Sequence, residues 1–189
     1  VDNYLTLDKI FAGSEVLIST HCEDEKIIRQ NRERLLKQKS VLHAEDHPLI
    51  RDETACFESS LAAIQFAKKH NSRLHILHIS TEKELSLFSN LLPLQEKRIT
   101  AEVCVHHLHF TSNDYALLGN QIKCNPAIKV PSNRDALWKA LLDDRLDVRV
   151  VEDDRQHRCH EQHVVAGEED VPQRREPGDD ERANDADEH

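Results

Sequence analysis

Short apolar runs alternate with helix-like stretches along most of this chain, and two of those runs end at a histidine. The strand predicted at Val16–Thr20 is followed by His21, and the strand predicted at Arg73–Ile79 contains His78 near its end. Strands of this kind, separated by helices, predict a parallel α/β sheet with right-handed crossovers. In a β/α barrel the carboxyl ends of the strands form the edge where ligands and metals bind. The pattern therefore predicts a metal site containing both histidines.

The remaining pattern predicts four or five βα units, about half of a barrel. Asp52 is the predicted N-cap of a helix at Glu53–His70, and Asn71 is suited to the left-handed position that ends it. Ser132 is the predicted cap of a helix at Asn133–Leu142, which should bury Leu137, Trp138 and Leu141. The other predicted segments are helices at 5–12, 25–39 and from Ser80-Thr81 to Ser89, strands at 98–105 and 121–124, a strand beginning at 146–148, and a polar loop at 43–51.

Charge and composition separate residues 149–189 from residues 1–148. Of the net charge of −10, −8 comes from positions 149–189, which hold fourteen acidic residues and six arginines. This segment has no Leu, Ile, Phe, Trp, Tyr or Lys, so it cannot bury enough surface to offset the entropy of ordering. We expect a partial barrel at 1–148 and, at 149–189, an acidic tail that is disordered or translated out of frame.

The composition also limits the cellular setting and the partners. The five cysteines are odd in number and form no C-x-x-C pair, which favours thiols in a reducing cytoplasm. No apolar run approaches the length of a membrane span, and the nearly neutral body has no basic stripe for nucleic acid. We therefore expect a cytoplasmic protein that binds neither membrane nor nucleic acid. The open sheet edges of a partial barrel favour a homo-oligomer.

Several motifs occur in the same order as in a known enzyme family. The sequence His-Cys-Glu-Asp after one strand and His-Ile-Ser-Thr after another resembles the dihydroorotases of the amidohydrolase superfamily. The resemblance covers about residues 1–148 and continues in the motifs T-A-E-V at 100–103, H-H-L at 106–108 and K-C-N-P at 123–126. It implies the region of strands 5–8 of a (β/α)₈ barrel.

The resemblance implies a chemistry as well as a fold. Dihydroorotases interconvert dihydroorotate and N-carbamoyl-aspartate in pyrimidine biosynthesis, with two zinc ions in a complete site. The resemblance implies that His21 and His78 ligate one zinc, and that Asn125 contacts the small-molecule substrate. Neutral imidazole is a usual zinc ligand, and zinc acidifies water enough to supply a nucleophile near neutral pH.

The chain departs from the family pattern at both ends. The family's amino-terminal H-x-H pair and its carboxylated lysine have no counterpart after Val1, so at most one partial zinc site is expected here. Only with an inserted residue can Asp153 be aligned with the aspartate that acts as metal ligand and general base. We therefore expect an incomplete chain with weak or no activity.

Other candidate residues have structural interpretations that compete with the functional ones. Glu23 and Asp24 are either catalytic carboxylates or the acidic start of a helix, and we favour the second. Cys22 and Cys124 lie near the predicted site but fit small core residues. His75 is expected in the core or facing a helix. His106, His107 and His109 form either a metal cluster or, as we favour, packing under the edge of the barrel. We expect the tail histidines His157, His160 and His163 to bind nothing specific.

Two other functions compete with the dihydroorotase interpretation. The first is another cyclic amidohydrolase, such as a hydantoinase or an allantoinase, which a substrate panel would distinguish. The second is a non-catalytic, dihydroorotase-like interaction protein, for which the discriminating observation is a stable oligomer without metal.

Overall fold

A computed structural model describes residues 3–150 of the chain, with backbone only at 148–150. Four strands alternate with helices, as the sequence predicts. The strands are β1 (Ile18–Thr20), β2 (Leu74–Ile76), β3 (Ile99–Cys104) and β4 (Val148–Val150). The helices are α1 (Tyr4–Gly13), α2 (Glu25–Leu36), α3 (His47–Ile50), α4 (Glu53–His70), α5 (Val105–His109), α6 (Tyr115–Leu118) and α7 (Pro131–Leu142). Short 3₁₀ turns lie at Ala44–Asp46, Lys83–Leu87, Leu94–Glu96, Ser112–Asp114 and Gly119–Ile122.

The strands form one parallel sheet in the order β1-β2-β3-β4. Ile18 pairs with Leu74, and Leu74 pairs in turn with Ile99. Parallel neighbours need crossover connections, which helices and loops provide here. The prediction of a parallel α/β sheet is confirmed. All carboxyl ends of the strands consequently lie along one edge, which is called the carboxyl edge below.

The longest helix, α4, has the predicted boundaries. The Asp52 carboxylate accepts a hydrogen bond from the Ala55 amide, which satisfies a donor that the first helical turn leaves unpaired. At the other end Asn71 adopts φ 53° and ψ 32°, the left-handed conformation expected at a helix end. The buried face of α4 consists of small and medium side chains that allow close packing on the sheet: Ala55, Cys56, Ser60, Ala63, Ile64 and Ala67.

The main core lies between the sheet and its helices. Leu74, Ile76 and Val103 from the central strands are completely buried. Residues from α1, α4 and α7 complete this core, among them Phe11, Ile64 and Leu137. A smaller cluster of Tyr115, Ile122 and Ile128 lies under the loops that follow β3. The core thereby fixes the strands whose ends carry the polar residues.

Several predicted elements differ from the structure. The segment 43–51 is not a loop, because it forms the 3₁₀ turn Ala44–Asp46 and α3. The helix predicted after Ser80 is only the 3₁₀ turn Lys83–Leu87. The strand predicted at 121–124 is also wrong: the chain forms a 3₁₀ turn at Gly119–Ile122, and Ile122 packs into the smaller cluster instead of pairing with a strand.

Helix α7 begins before the predicted start. Pro131 occupies its first turn, where a missing N–H costs nothing, and Val130 precedes it without a side-chain cap, so Ser132 is not the N-cap. Its buried residues are Asn133, Leu137 and Ala140. Trp138, predicted to be buried, is 41% exposed, and its indole N–H donates to the Leu108 carbonyl at 2.8 Å.

None of the helices between residues 3 and 150 is both long and apolar enough to span a bilayer.

Candidate functional site

The structure brings His21 and His78 together at the carboxyl edge. His21 directly follows β1, and His78 lies two residues beyond β2, the neighbouring strand. The His21 Nδ1 and the His78 Nε2 are 2.5 Å apart, and the two ring centroids are 4.7 Å apart. The two side chains come from positions 57 residues apart in the sequence, so the sheet itself creates the pair.

The backbone after β2 leaves the regular strand and positions His78. The Leu77 amide still donates to Thr20 of β1 at 3.1 Å, and the Ile79 amide donates to Glu102 of β3 at 2.8 Å. Between them His78 has φ 45°, in the left-handed region that few non-glycine residues adopt. The chain at this point is therefore tied to both neighbouring strands, and the His78 side chain is buried while His21 is exposed.

Two imidazole nitrogens that face each other at this distance can share one hydrogen. Each neutral ring has one lone pair and one N–H. The contact is a hydrogen bond when the N–H of one ring points at the lone pair of the other, and a metal ion can take the place of that hydrogen when both nitrogens present lone pairs. The same pair of atoms can therefore hold a proton or contribute two ligands to a metal ion.

A second group of sulfur and nitrogen atoms follows β3. One ligand atom from each of Cys104, His106 and His107 lies within 4.8 Å of the others. The ring centroids of His106 and His107 are 4.3 Å apart. His107 is buried, and its Nε2 lies 2.9 Å from the Pro126 carbonyl, so this nitrogen carries the proton and donates. Burial holds the pKa of His107 well below its usual value, with the charge of His106 as the next cause. The buried position of His107 fits the packing role that the sequence favours. The nearby sulfur and nitrogen atoms could also bind a metal ion, so both interpretations remain open.

Asn125 lies in the loop after the 3₁₀ turn Gly119–Ile122, with its side chain against His47. The His47 Nε2 is 2.8 Å from the Cys124 carbonyl and 3.1 Å from the Asn125 Oδ1, so it donates to both oxygens. Burial lowers the pKa of His47 to about 4, which makes the ring neutral near pH 7. Asn125 is exposed, and the next residue, Pro126, accepts the hydrogen bond from His107.

The two acidic residues after His21 have different roles. Asp24 caps α2 by accepting from the Ile27 amide at 2.9 Å, which confirms the helix-start interpretation for this residue. The Glu23 Oε2 forms an ion pair with Arg51 at 2.6 Å. The other oxygen, Oε1, is buried with no hydrogen-bond partner within residues 3–150. Burial raises the pKa of Glu23, although Arg51 and Lys129 oppose this shift.

Sequence reasoning missed a buried carboxylate beside this edge. The Glu84 Oε1 accepts from the Ser60 hydroxyl, and its Oε2 accepts from the Thr81 hydroxyl, both at 2.8 Å. The Ser80 amide also reaches the Oε2 at 3.4 Å. Burial raises the pKa of Glu84. The spacing Thr81-x-x-Glu84 is the pattern of a capping box, and this signal could have identified the interaction between Thr81 and Glu84.

Lys129 is a second polar residue that sequence reasoning missed. It is buried, and its Nζ donates to the Ala127 carbonyl at 3.0 Å and lies 4.0 Å from the Cys56 sulfur. No sequence motif marks this lysine. Its burial depends on the loop between α6 and α7, which the sequence did not predict.

The other candidate residues within residues 3–150 pack in the protein or form hydrogen bonds within it. Cys22 is buried in the main core, and burial raises the pKa of its thiol to about 12, as a small core residue requires. Cys124 is half-buried against the smaller cluster. His75 bridges to β3, with Nδ1 2.8 Å from the Thr100 hydroxyl and Nε2 2.9 Å from the Glu102 carboxylate. Asp153 and the tail histidines lie outside the described residues.

Comparison with solved structures identifies the fold as part of the barrel of the hydantoinases. An L-hydantoinase from Arthrobacter aurescens superposes with a TM-score of 0.71 and 20% sequence identity, covering 79% of this chain and 33% of that enzyme. A D-hydantoinase from a Thermus species superposes with a TM-score of 0.65 and 20% identity, covering 80% of this chain and 34% of that enzyme.

Curated cyclic amidohydrolases are similar to this chain in sequence. A dihydroorotase from Carboxydothermus hydrogenoformans is 29% identical over 153 residues, covering 81% of this chain and 34% of the relative. An allantoinase from Deinococcus radiodurans is 29% identical over 137 residues, covering 70% of this chain and 29% of the relative. No protein-family profile matches the chain. The resemblance to dihydroorotases within the amidohydrolase superfamily is confirmed, and the chain spans about a third of the length of these relatives.

Proposed function

We propose that the carboxyl edge of this chain carries part of the metal centre of a cyclic amidohydrolase, with His21 and His78 as ligands of one zinc ion. The observation that carries this proposal is the contact of the two imidazole nitrogens, 2.5 Å apart, at the ends of adjacent parallel strands. Relatives that are named dihydroorotase and allantoinase support the class of reaction.

The two histidines fit a zinc ion in both chemistry and position. Bonds of about 2.0–2.1 Å in a tetrahedral site place two nitrogen ligands about 3.3 Å apart. The observed nitrogens are closer by about 0.8 Å, a difference that a small rotation of the exposed His21 side chain removes. When bound, zinc supplies Lewis acidity, which allows water to attack an amide carbonyl near neutral pH.

The substrate that we propose is dihydroorotate, with N-carbamoyl-aspartate as the product of ring opening. The motifs at 100–103, 106–108 and 123–126 support this choice, because they resemble those of the dihydroorotases. Asn125 is exposed, and its amide has the donor and the acceptor that the imide edge of a pyrimidine ring requires. Its position beside the neutral His47 orients the amide, because His47 donates to Oδ1 and leaves the NH₂ group for the substrate.

The metal site is tested by zinc titration of the purified 189-residue chain. We expect the H21N and H78N variants each to lose at least tenfold in zinc affinity, because each removes one of two ligands. The matched control is H70Q, since His70 lies at the end of α4 and contacts Asp8. Unchanged zinc affinity in both H21N and H78N would contradict the proposal.

The substrate is tested by the rates of ring opening of dihydroorotate, allantoin and hydantoin with the zinc-loaded chain. We expect low turnover that favours dihydroorotate and disappears in H78N, because two histidines are fewer ligands than a two-zinc centre needs. A preference for allantoin or hydantoin would contradict dihydroorotate as the substrate but would leave the proposed metal site standing.

A further inference from the structure

We propose that the end of β3 is a second metal site, in which Cys104, His106 and His107 bind a zinc-like transition-metal ion. None of these residues belongs to the His21–His78 pair, so this site and the proposed function stand or fall separately. The proposal rests on three features: a local turn that gathers the ligands, an orphaned buried nitrogen, and the chemical nature of the donor set.

The turn from β3 into α5 gathers the three side chains. Strand β3 ends at Cys104, and α5 begins at the next residue, Val105. A strand that turns directly into a helix brings residue 104 close to residues 106 and 107, and their ligand atoms lie within 4.8 Å of one another. Tetrahedral zinc separates its sulfur and nitrogen ligands by about 3.3–3.8 Å, so small side-chain rotations suffice to close the site.

His107 has the arrangement of a metal-ligating histidine. Its Nε2–H donates to the Pro126 carbonyl at 2.9 Å, which fixes the tautomer and leaves a lone pair on Nδ1. Nδ1 is buried and has no hydrogen-bond partner in the part of the chain that the structure describes. A buried polar atom without a partner carries an uncompensated desolvation cost, so a native protein needs a reason to retain one. A metal ion bound to Nδ1 provides that reason.

The donor set selects the class of ion. A cysteine sulfur with two imidazole nitrogens suits Zn²⁺, Co²⁺ or Cu⁺, whereas Mg²⁺ and Ca²⁺ prefer oxygen ligands. Cys104 must lose its proton to ligate, so binding breaks the S–H bond, forms a metal–sulfur bond and releases one proton to solvent. His106 is the most accessible of the three ligands, so the ion has a route from solvent on that side.

The test uses Co²⁺ as a spectroscopic probe of the 189-residue chain. A thiolate bound to Co²⁺ gives an intense charge-transfer absorption in the near ultraviolet, which a site of histidines alone does not give. We expect this absorption in the unmodified chain, its loss in C104S, and at least a tenfold weaker apparent affinity for Co²⁺ in H107N. Circular dichroism establishes that C104S, a nearly isosteric change, keeps its fold.

Control variants separate this site from its neighbours. C124S removes another thiol close to His107 and should keep the absorption; the Cys124 sulfur is 4.0 Å from the His107 Nε2 and 3.2 Å from the Pro126 carbonyl. The double variant H21N/H78N should also keep it. No absorption with Co²⁺, or an absorption that survives in C104S, would overturn the proposal. An absorption lost only in H21N/H78N would overturn it as well, while it would support a metal at that pair.

Discussion

Two groups of polar residues in this fold differ in how their polar atoms are bonded. In the first, the carboxylate of Glu84 accepts from Ser60, Thr81 and the Ser80 amide, and the whole group is buried between α4 and the segment after β2. This group is called the Glu84 network below. In the second, at the carboxyl edge, the nitrogens of His21 and His78 lie 2.5 Å apart, where they can share a hydrogen or bind one metal ion.

The difference separates a structural role from a functional one. A buried group whose hydrogen-bonding capacity is filled by the protein rigidifies the packing and has no capacity left for a ligand. Two imidazole nitrogens that meet at the ends of neighbouring strands are usual metal ligands, so their mutual contact can be exchanged for bonds to an ion. Residue type does not distinguish the two cases, since a buried glutamate and a pair of histidines are both usual catalytic residues. The contacts distinguish them.

The largest expected effect is in the Glu84 network. We expect Glu84→Ala to lower the free energy of unfolding by about 2–4 kcal/mol, because it leaves buried donors without an acceptor and opens a cavity. Chemical denaturation monitored by circular dichroism measures the change. Glu84→Gln keeps one acceptor oxygen and should cost less than half as much. A change below about 0.5 kcal/mol in E84A would show that the Glu84 network does not stabilise the fold.

An intermediate effect is expected at His47, a histidine that is bonded within the protein. Its pKa falls from 6.5 in the unfolded chain to about 4 in the native protein, so between these pH values the unfolded state binds more protons. Its contribution to stability is complete above pH 6.5 and is lost as the pH falls toward 4. We expect the loss between pH 7 and pH 5 to be about 1–2 kcal/mol.

His47→Gln isolates the contribution of His47 to the pH dependence of stability, because the glutamine amide can still donate to the Cys124 carbonyl but does not titrate. Unfolding measured at pH 7 and pH 5 should show a smaller difference for H47Q than for the unmodified chain. Equal pH dependence in the two proteins would show that the pKa of His47 is not lowered by folding.

The smallest effect on stability is expected at the exposed member of the histidine pair. In metal-free protein, His21→Asn should change the free energy of unfolding by less than about 0.5 kcal/mol. Excess zinc should raise the unfolding midpoint of the unmodified chain by more than that of H21N, because a ligand of the native state stabilises it and H21N lacks one of its sites. A large loss of stability without metal would place His21 in the same class as Glu84 and break the comparison.

The sequence predicted the fold best where local signals and packing agree. Helix α4 has the predicted boundaries because Asp52 and Asn71 fix its ends through their own backbone interactions. Strand β2 is shorter than predicted, since the left-handed backbone at His78 interrupts it, and no local signal shows this. The segment 121–124 has the alternation of a strand, yet Ile122 packs into the smaller cluster, a long-range contact that periodicity cannot reveal.

The same limit applies to the site. His21 and His78 were predicted together because their positions at strand ends follow from the alternation of elements, and the structure brings them into contact. The environment of Asn125 could not be predicted, because it depends on the fold of α3 and of the loop before Pro126. The burial of Glu84, Lys129 and the His107 Nδ1 arises from tertiary packing alone.

The strand order β1-β2-β3-β4 has a consequence for how this protein can change. Each strand hydrogen-bonds to the strand that follows it in the chain, so the order of side chains along the carboxyl edge copies the order of the loops in the sequence. Exchanging one loop for another should therefore alter one position of the edge while the sheet beneath it stays intact. The arrangement is modular: replacing a single loop can add a ligand to this edge or remove one from it.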